Sequence, residues 1–189
     1  MKRRSPFRWW VNQVMAWHKC VAVIVALLSL GNLAVVESSS PSWDNWQFLV
    51  GTWEAAGQGS PGQGAGTFSF TFDLQNKVLV RKSHTEYPGA AGRPAFSHDD
   101  LMVIYPDEAG KGYRATYFDS EGHVINYAAE LSASGQTITF VSAVLPSQPR
   151  FRLTYVKKKE DILEIKFEIA PPGAPENFKV YVEGSARKK

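Results

Sequence analysis

The hexapeptide Thr67-Phe68-Ser69-Phe70-Thr71-Phe72 places a phenylalanine at every second position. In an extended chain, neighbouring side chains point to opposite faces, so this pattern is a strand with one apolar face. The same period of two recurs after residue 50, and no helical period of useful length does. The alternation predicts ten strands, at roughly 51–57, 65–73, 77–86, 98–105, 112–118, 123–131, 136–144, 150–157, 162–169 and 178–187. The connections carry turn chemistry: Asp107 to Gly112, Asp119 to Gly122 and Ser132 to Gly135 supply Asp, Ser and Gly where hairpins need them. Tyr87 to Phe96 and Ala170 to Asn177 are longer and rich in Pro and Gly, so neither continues a central strand.

Short strands joined by hairpins make an antiparallel meander, and closing that meander into an up-and-down barrel removes its unpaired edges. Ten strands leave an interior wide enough for a small ligand, because diameter grows with strand number. The expected fold is therefore all-β, an up-and-down antiparallel β-barrel of about ten strands over residues 48–189. A two-sheet sandwich is the alternative. A linker and short helix occupy 37–47 and the residues just after. Ser42 is placed to cap a turn from Trp43 to Leu49, with Trp43 and Trp46 on one face.

Residues 1–36 have a different character. Lys2, Arg3, Arg4, Arg8 and Lys19 precede the apolar run Val21 to Val36, and Glu-Ser-Ser-Ser follows it. A basic flank, an apolar core and a polar exit mark a secretory signal peptide, which implies a secreted or periplasmic protein. The run is about 16 residues, shorter than the ~20 of a stable span, though retention as a membrane anchor through 21–36 is the alternative. Met15 offers a second start that gives a tidier signal.

The leader also carries the positive charge. The chain has 21 Lys and Arg against 18 Asp and Glu; without the leader this becomes 16 against 18, a net −2. That balance gives no electrostatic footprint for nucleic acid. Cys20, the one cysteine, lies in the leader, so the remaining domain has no disulfide, thiol nucleophile or thiolate metal site.

The stretch Phe48-Leu49-Val50-Gly51-Thr52-Trp53 resembles the G-x-W signature that opens the first strand in the calycin group of lipocalins, fatty-acid-binding proteins and nitrobindin-like barrels. The stretches Val78 to Pro88, Asp100 to Asp107, Tyr113 to Tyr127 and Pro149 to Val156 are similar to an uncharacterised bacterial family of secreted lipocalin-like domains. The resemblance implies that Trp53 plugs the closed end of the barrel and that a basic residue of the last strand covers it, with Arg187 as the match. Nitrobindin-like barrels bind haem through a histidine near the C-terminal end of the barrel. The last strand here, Phe178 to Lys189, has none, so no cofactor is expected and haem is the alternative.

No chemical constellation stands out, and no catalytic or metal-binding residue is assigned. His84, His98 and His123 fall on separate strands without ligand spacing. Asp119-Ser120-Glu121-Gly122-His123 reads as a hairpin turn, since adjacent turn residues do not converge as a nucleophile and its base must. Asp99 and Asp100 are expected to be ordinary charges at a loop edge. Gly57 to Gly66 lacks the ending of a phosphate loop and is expected to form a flexible connection or a flap at the mouth. The candidate ligand-binding residues are polar and aromatic groups within strands: Arg81, His84, Tyr105, Tyr117, His123, Tyr127 and Tyr155. The alternatives are tyrosines that merely fill the interior and arginines that lie outside, paired with acids. Binding of a small, mainly apolar ligand is the expected function. An enzyme using His84, His123 and acids, and a filled structural barrel, are the rivals.

Overall fold

The computed structural model describes residues 42–90, 92–108 and 110–189. The leader, with its signal, anchor and start-site expectations, lies outside the described residues. A 3-10 helix, Asp44–Leu49, is followed by ten strands: β1 (Gly51–Gly59), β2 (Gly64–Asp73), β3 (Val78–Tyr87), β4 (Phe96–Pro106), β5 (Tyr113–Asp119), β6 (Val124–Leu131), β7 (Thr137–Ser142), β8 (Arg150–Lys159), β9 (Ile162–Ala170) and β10 (Lys179–Lys188). Each strand pairs antiparallel with its neighbours in sequence, and β1 also pairs with β10, which closes the barrel. All ten expected strands are present with ends within two residues of expectation, and closure excludes the sandwich. Among the described residues no helix is long and apolar enough to cross a membrane.

The period of two sorts the side chains as the strands require. Phe68 and Phe70 of β2, Met102 and Ile104 of β4, Ile138 and Phe140 of β7, and Tyr155 of β8 are buried inside, and their neighbours in sequence face out. The helix stoppers the end of the barrel where β1 begins. Trp46 and Leu49 are wholly buried, and Trp43 and Trp46 pack against each other and against Tyr113. The helix differs from expectation in being 3-10 and in starting at Asp44, although Ser42 Oγ still accepts the Asp44 N–H at 3.2 Å.

Gly51 turns the chain from helix to strand with φ +124°, and a Cβ there would sit 2.7 Å from Lys188 Cε. Trp53, fully buried, follows on the inward side and donates its Nε1–H to Leu49 O at 2.8 Å. Its cover is Lys188, with Nζ 5.4 Å from the ring, and not Arg187. Trp53 and Lys188 are register partners and share a face; Arg187, one residue away, points outward to Asp161 at 3.2 Å.

Gly57 to Gly66 is not a flexible loop or flap. β1 runs to Gly59 and β2 starts at Gly64, leaving only a tight turn between them. Its glycines are needed because backbones meet there: a Cβ on Gly66 would lie 2.0 Å from His84 O, and one on Gly59 would lie 2.0 Å from Tyr181 O. We expect Gly66→Ala to destabilise by about 1–3 kcal/mol, as overpacking does, measured by urea denaturation. Strain of the opposite kind sits between β2 and β3, where Leu74, Gln75 and Asn76 all have positive φ, from 48° to 63°. Left-handed backbone is unfavourable for residues with a Cβ, so Gln75→Gly should raise stability by about 0.5–1 kcal/mol in the same assay.

Candidate functional site

The stoppered end leaves the opposite end, with the turns after β1, β3, β5, β7 and β9, as the mouth. A cavity of about 590 Å³ opens there and reaches down to Phe68 and Arg81. Its existence has a local cause. Ala55, Gly57, Gly66 and Gly184 line one side, so at these positions β1, β2 and β10 contribute almost no side-chain volume. A larger concavity of about 1470 Å³, bordered by Glu164, Lys166 and Glu183, is more open and spans the outside of that same thin wall.

The two other sides of the cavity differ in chemistry. β8 and β9 present Phe151, Leu153, Ile165, Phe167 and Ile169. β3 to β6 present Arg81, His98, Asp100, Tyr117, Asp119 and Tyr127, with Glu121 and His123 from the turn between β5 and β6. A molecule inside would meet an apolar wall on one flank and a polar wall on the other.

The polar wall is an ordered network. Arg81 pairs with Asp100; their side chains are only 10% and 6% exposed. The guanidinium also lies 5.4 Å from the Phe68 ring centre. Nearer the mouth, His98 Nε2 is 3.0 Å from the Tyr117 hydroxyl and 3.7 Å from Asp100 Oδ2, while its Nδ1 is 2.9 Å from Glu121 Oε2. Asp119 accepts the backbone N–H groups of Glu121 and His123 at 3.1 and 2.9 Å, and its other oxygen is 2.9 Å from His123 Nδ1. The turn is further tied to β4, because Ser120 N–H donates to Asp99 O at 2.9 Å.

Burial and charge move the titrations of this wall. Burial raises the Asp100 carboxyl more than Arg81 and His98 lower it. Burial, the largest single influence, acts to lower the Arg81 guanidinium, but Asp100 together with Tyr155, Tyr117 and Tyr127 outweighs it and holds it above its ordinary value. Tyr117 and Tyr127 are pushed far up, by burial first and then by neighbouring groups, Asp100 and Asp119 for Tyr117, and Tyr155 ahead of Asp100 and Asp119 for Tyr127. Tyr155 is pushed up to about 12, mainly by burial, and its hydroxyl has no well-formed hydrogen bond. Asp119 runs the other way: burial would raise it, yet the backbone N–H and ring of His123 bring it below the usual carboxylate value. Its stabilising contribution is therefore present above the unfolded-state value and lost as pH falls through the lower folded one. Asp119→Asn should flatten the acid limb of stability, read as a smaller loss of urea midpoint between neutral pH and pH 3.

The sequence candidates divide cleanly. Arg81, Tyr117, His123 and Tyr127 line the cavity, and Tyr155 lies buried in the core below it, in edge-to-face contact with Phe70. His84 and Tyr105 do not line it. His84 faces outward, 2.7 Å from Asp99 and 3.6 Å from Glu86, so the pairing of His84 with His123 considered for an enzyme does not form. Tyr105 alternates with the inward Ile104 and is the register partner of the exposed Arg114. Arg152 is also outside, bidentate to Glu168 at 2.7 and 2.8 Å with Phe178 against its guanidinium.

Asp100 is the main correction. It is not a loop-edge charge but a buried group inside β4, on the face opposite Asp99. His98, the same distance from Asp100 as Met102, enters the cavity with it. A signal for both was present: they share parity with Met102 and Ile104, which any closed barrel must bury. His98, Asp119 and Glu121 place one donor atom each within 4.8 Å of one another, and this is the group among the described residues that could hold a metal ion.

The fold and site together define a closed up-and-down ten-strand β-barrel with an internal pocket open at one end. No protein-family model matches the chain, and no curated protein matches it. Solved structures do. A de novo designed fluorescence-activating β-barrel is 16% identical, covering 76% of this chain and 95% of its own, with a TM-score of 0.40. An S-type phycobiliprotein lyase from Guillardia theta is 10% identical, covering 84% and 98%, with a TM-score of 0.48. A DUF3598-family protein of unknown function from Nostoc punctiforme is 9% identical, covering 78% and 98%, with a TM-score of 0.31. Likeness at these scores says nothing about what the barrel holds.

Proposed function

We propose that this protein reversibly binds a small, mainly apolar molecule inside the barrel, without a chemical step. The cavity carries this reading: about 590 Å³ falls within the ~300–1,000 Å³ of small-molecule sites, and it combines an apolar wall with a few placed polar groups. Burial against Phe151, Leu153, Ile165 and Phe167 would supply affinity, at about 25 cal/mol per Å² of apolar surface removed from water. Tyr117 and Tyr127, backed by the Arg81–Asp100 pair, would fix orientation. A filled structural barrel is disfavoured by the glycine-lined side, which leaves the volume open.

The basic residues and apolar run of the leader support export to the periplasm or the medium, with the signal removed and a retained anchor as the alternative. Fractionation of host cells with N-terminal sequencing tests this. Haem is not part of the proposal.

The deciding experiment is native mass spectrometry of protein purified from its own host, with titration by the fluorescent probe N-phenyl-1-naphthylamine. A co-purifying small molecule and saturable probe binding are expected. Failure of both would remove the carrier reading, and a Soret band on haem addition would replace it with a haem protein.

A further inference from the structure

An arginine among tyrosines inside an apolar barrel ordinarily suggests an anchor for a ligand carboxylate. Here that anchor is taken. Asp100 pairs with Arg81 at the cavity floor, and both side chains are nine-tenths buried or more. Around the rest of the polar wall the charge is one-sided: among the described residues Arg81 is the single Lys or Arg lining the cavity, against Asp100, Asp119 and Glu121. With Arg81 and Asp100 cancelling, two carboxylates remain at the rim beside His98 and His123.

We infer that the cavity takes ligands whose polar end is positively charged, an aliphatic or aromatic amine on an apolar body, and rejects carboxylates. This rests on the proposed binding function and specifies its ligand class. The amine would sit at the rim, between Asp119 and Glu121 and within reach of the Tyr117 hydroxyl. The apolar body would lie along Phe151, Leu153 and Phe167. Glu121 is the freer of the two rim carboxylates, with its side chain 45% exposed and His98 as its partner; Asp119, 5% exposed, is held by the turn. Burial is the main reason Tyr117 and Tyr127 resist ionising, and Asp100 and Asp119 act in the same direction, as they would on a ligand anion. A charge a few ångströms from a carboxylate in a partly enclosed site is felt more strongly than in bulk water, so the sign of the ligand charge decides the order of binding among ligands of equal apolar length.

The test is displacement of N-phenyl-1-naphthylamine by three ligands of equal chain length: dodecylamine, dodecanol and dodecanoate. The expected order is amine, alcohol, carboxylate, with at least about a tenfold gap between the first and last. Glu121→Gln should weaken dodecylamine about fivefold more than dodecanol. Asp100→Asn should free Arg81 and strengthen dodecanoate by about tenfold or more; if that variant does not fold, the three-ligand order and Glu121→Gln decide alone. Dodecanoate binding as well as dodecylamine to the native protein overturns the inference, as does a probe that binds but yields to none of the three. Zn2+ alone displacing dodecylamine would assign His98, Asp119 and Glu121 to a metal ion and also overturn it. A probe that never binds fails the carrier reading instead, so the two failures are distinguishable.

Discussion

Trp53→Ala is expected to lower the stability of the barrel by about 3–5 kcal/mol, the range for removing a buried large aromatic side chain. Three losses coincide at this position. The indole is wholly buried and stacked on Phe68, with ring centres 6.1 Å apart and planes 12° apart. Its Nε1–H satisfies Leu49 O, the carbonyl that ends the 3-10 helix, so truncation also loosens the stopper. Lys188 would lose the ring it covers. For a domain of this size a loss of that order lowers the melting temperature by roughly 6–20 °C. Equilibrium urea denaturation followed by near-UV circular dichroism measures it. Trp53→Phe separates the terms: it keeps most of the packing and loses the hydrogen bond, and about 1–3 kcal/mol is expected. A Trp53→Ala effect below about 1 kcal/mol would mean that the closed end does not depend on this residue.

Asp100→Ala is the second large effect, again about 3–5 kcal/mol, because it leaves the Arg81 guanidinium buried without a counter-ion. The pair itself is not the source of that energy. Replacing both partners, as in Arg81→Met with Asp100→Leu, should fall near neutral or stabilise, since two desolvation penalties vanish together. The double-mutant cycle reads the coupling directly. The pH dependence has a definite sign. Asp100 has a raised folded-state value, so protonating it favours the folded state; whatever stability this gives is present in acid and lost as pH rises through that value. The wild-type barrel therefore does not lose stability in acid through Asp100. The carboxylates that produce acid loss are Asp119 and Glu168, whose values are lowered in the fold, Glu168 by its hydrogen bonds to Arg152.

These two residues mark how far the sequence could be read. Trp53 was legible, because a glycine with special backbone needs, a large aromatic two residues on and a short helix before them all point to one end of a barrel. Asp100 is buried where its place beside Asp99 suggests a loop-edge charge, although the alternation that buries it is present in the sequence. Asp99 and Asp100 must face opposite sides of the strand, and Met102 and Ile104 indicate which side is inside. The same parity argument separates Arg81 from His84 on β3 and Lys188 from Arg187 on β10. In each case the period was correct and the phase decided the role. A shift of one residue moves a side chain from the cavity to solvent.

The sequence by itself determined the number of strands, their order, the hairpin connections and the aromatic stopper. Those features depend on local periodicity and turn chemistry, which act within a few residues. Only the tertiary structure decided that Asp100 neutralises Arg81, that His98 and not His84 enters the cavity, and that glycines far apart in the chain form one thin side. These depend on contacts between residues far apart in the chain, such as Arg81 with Asp100 and Gly57 with Gly184, where closure of the barrel sets the register and the register sets which groups meet.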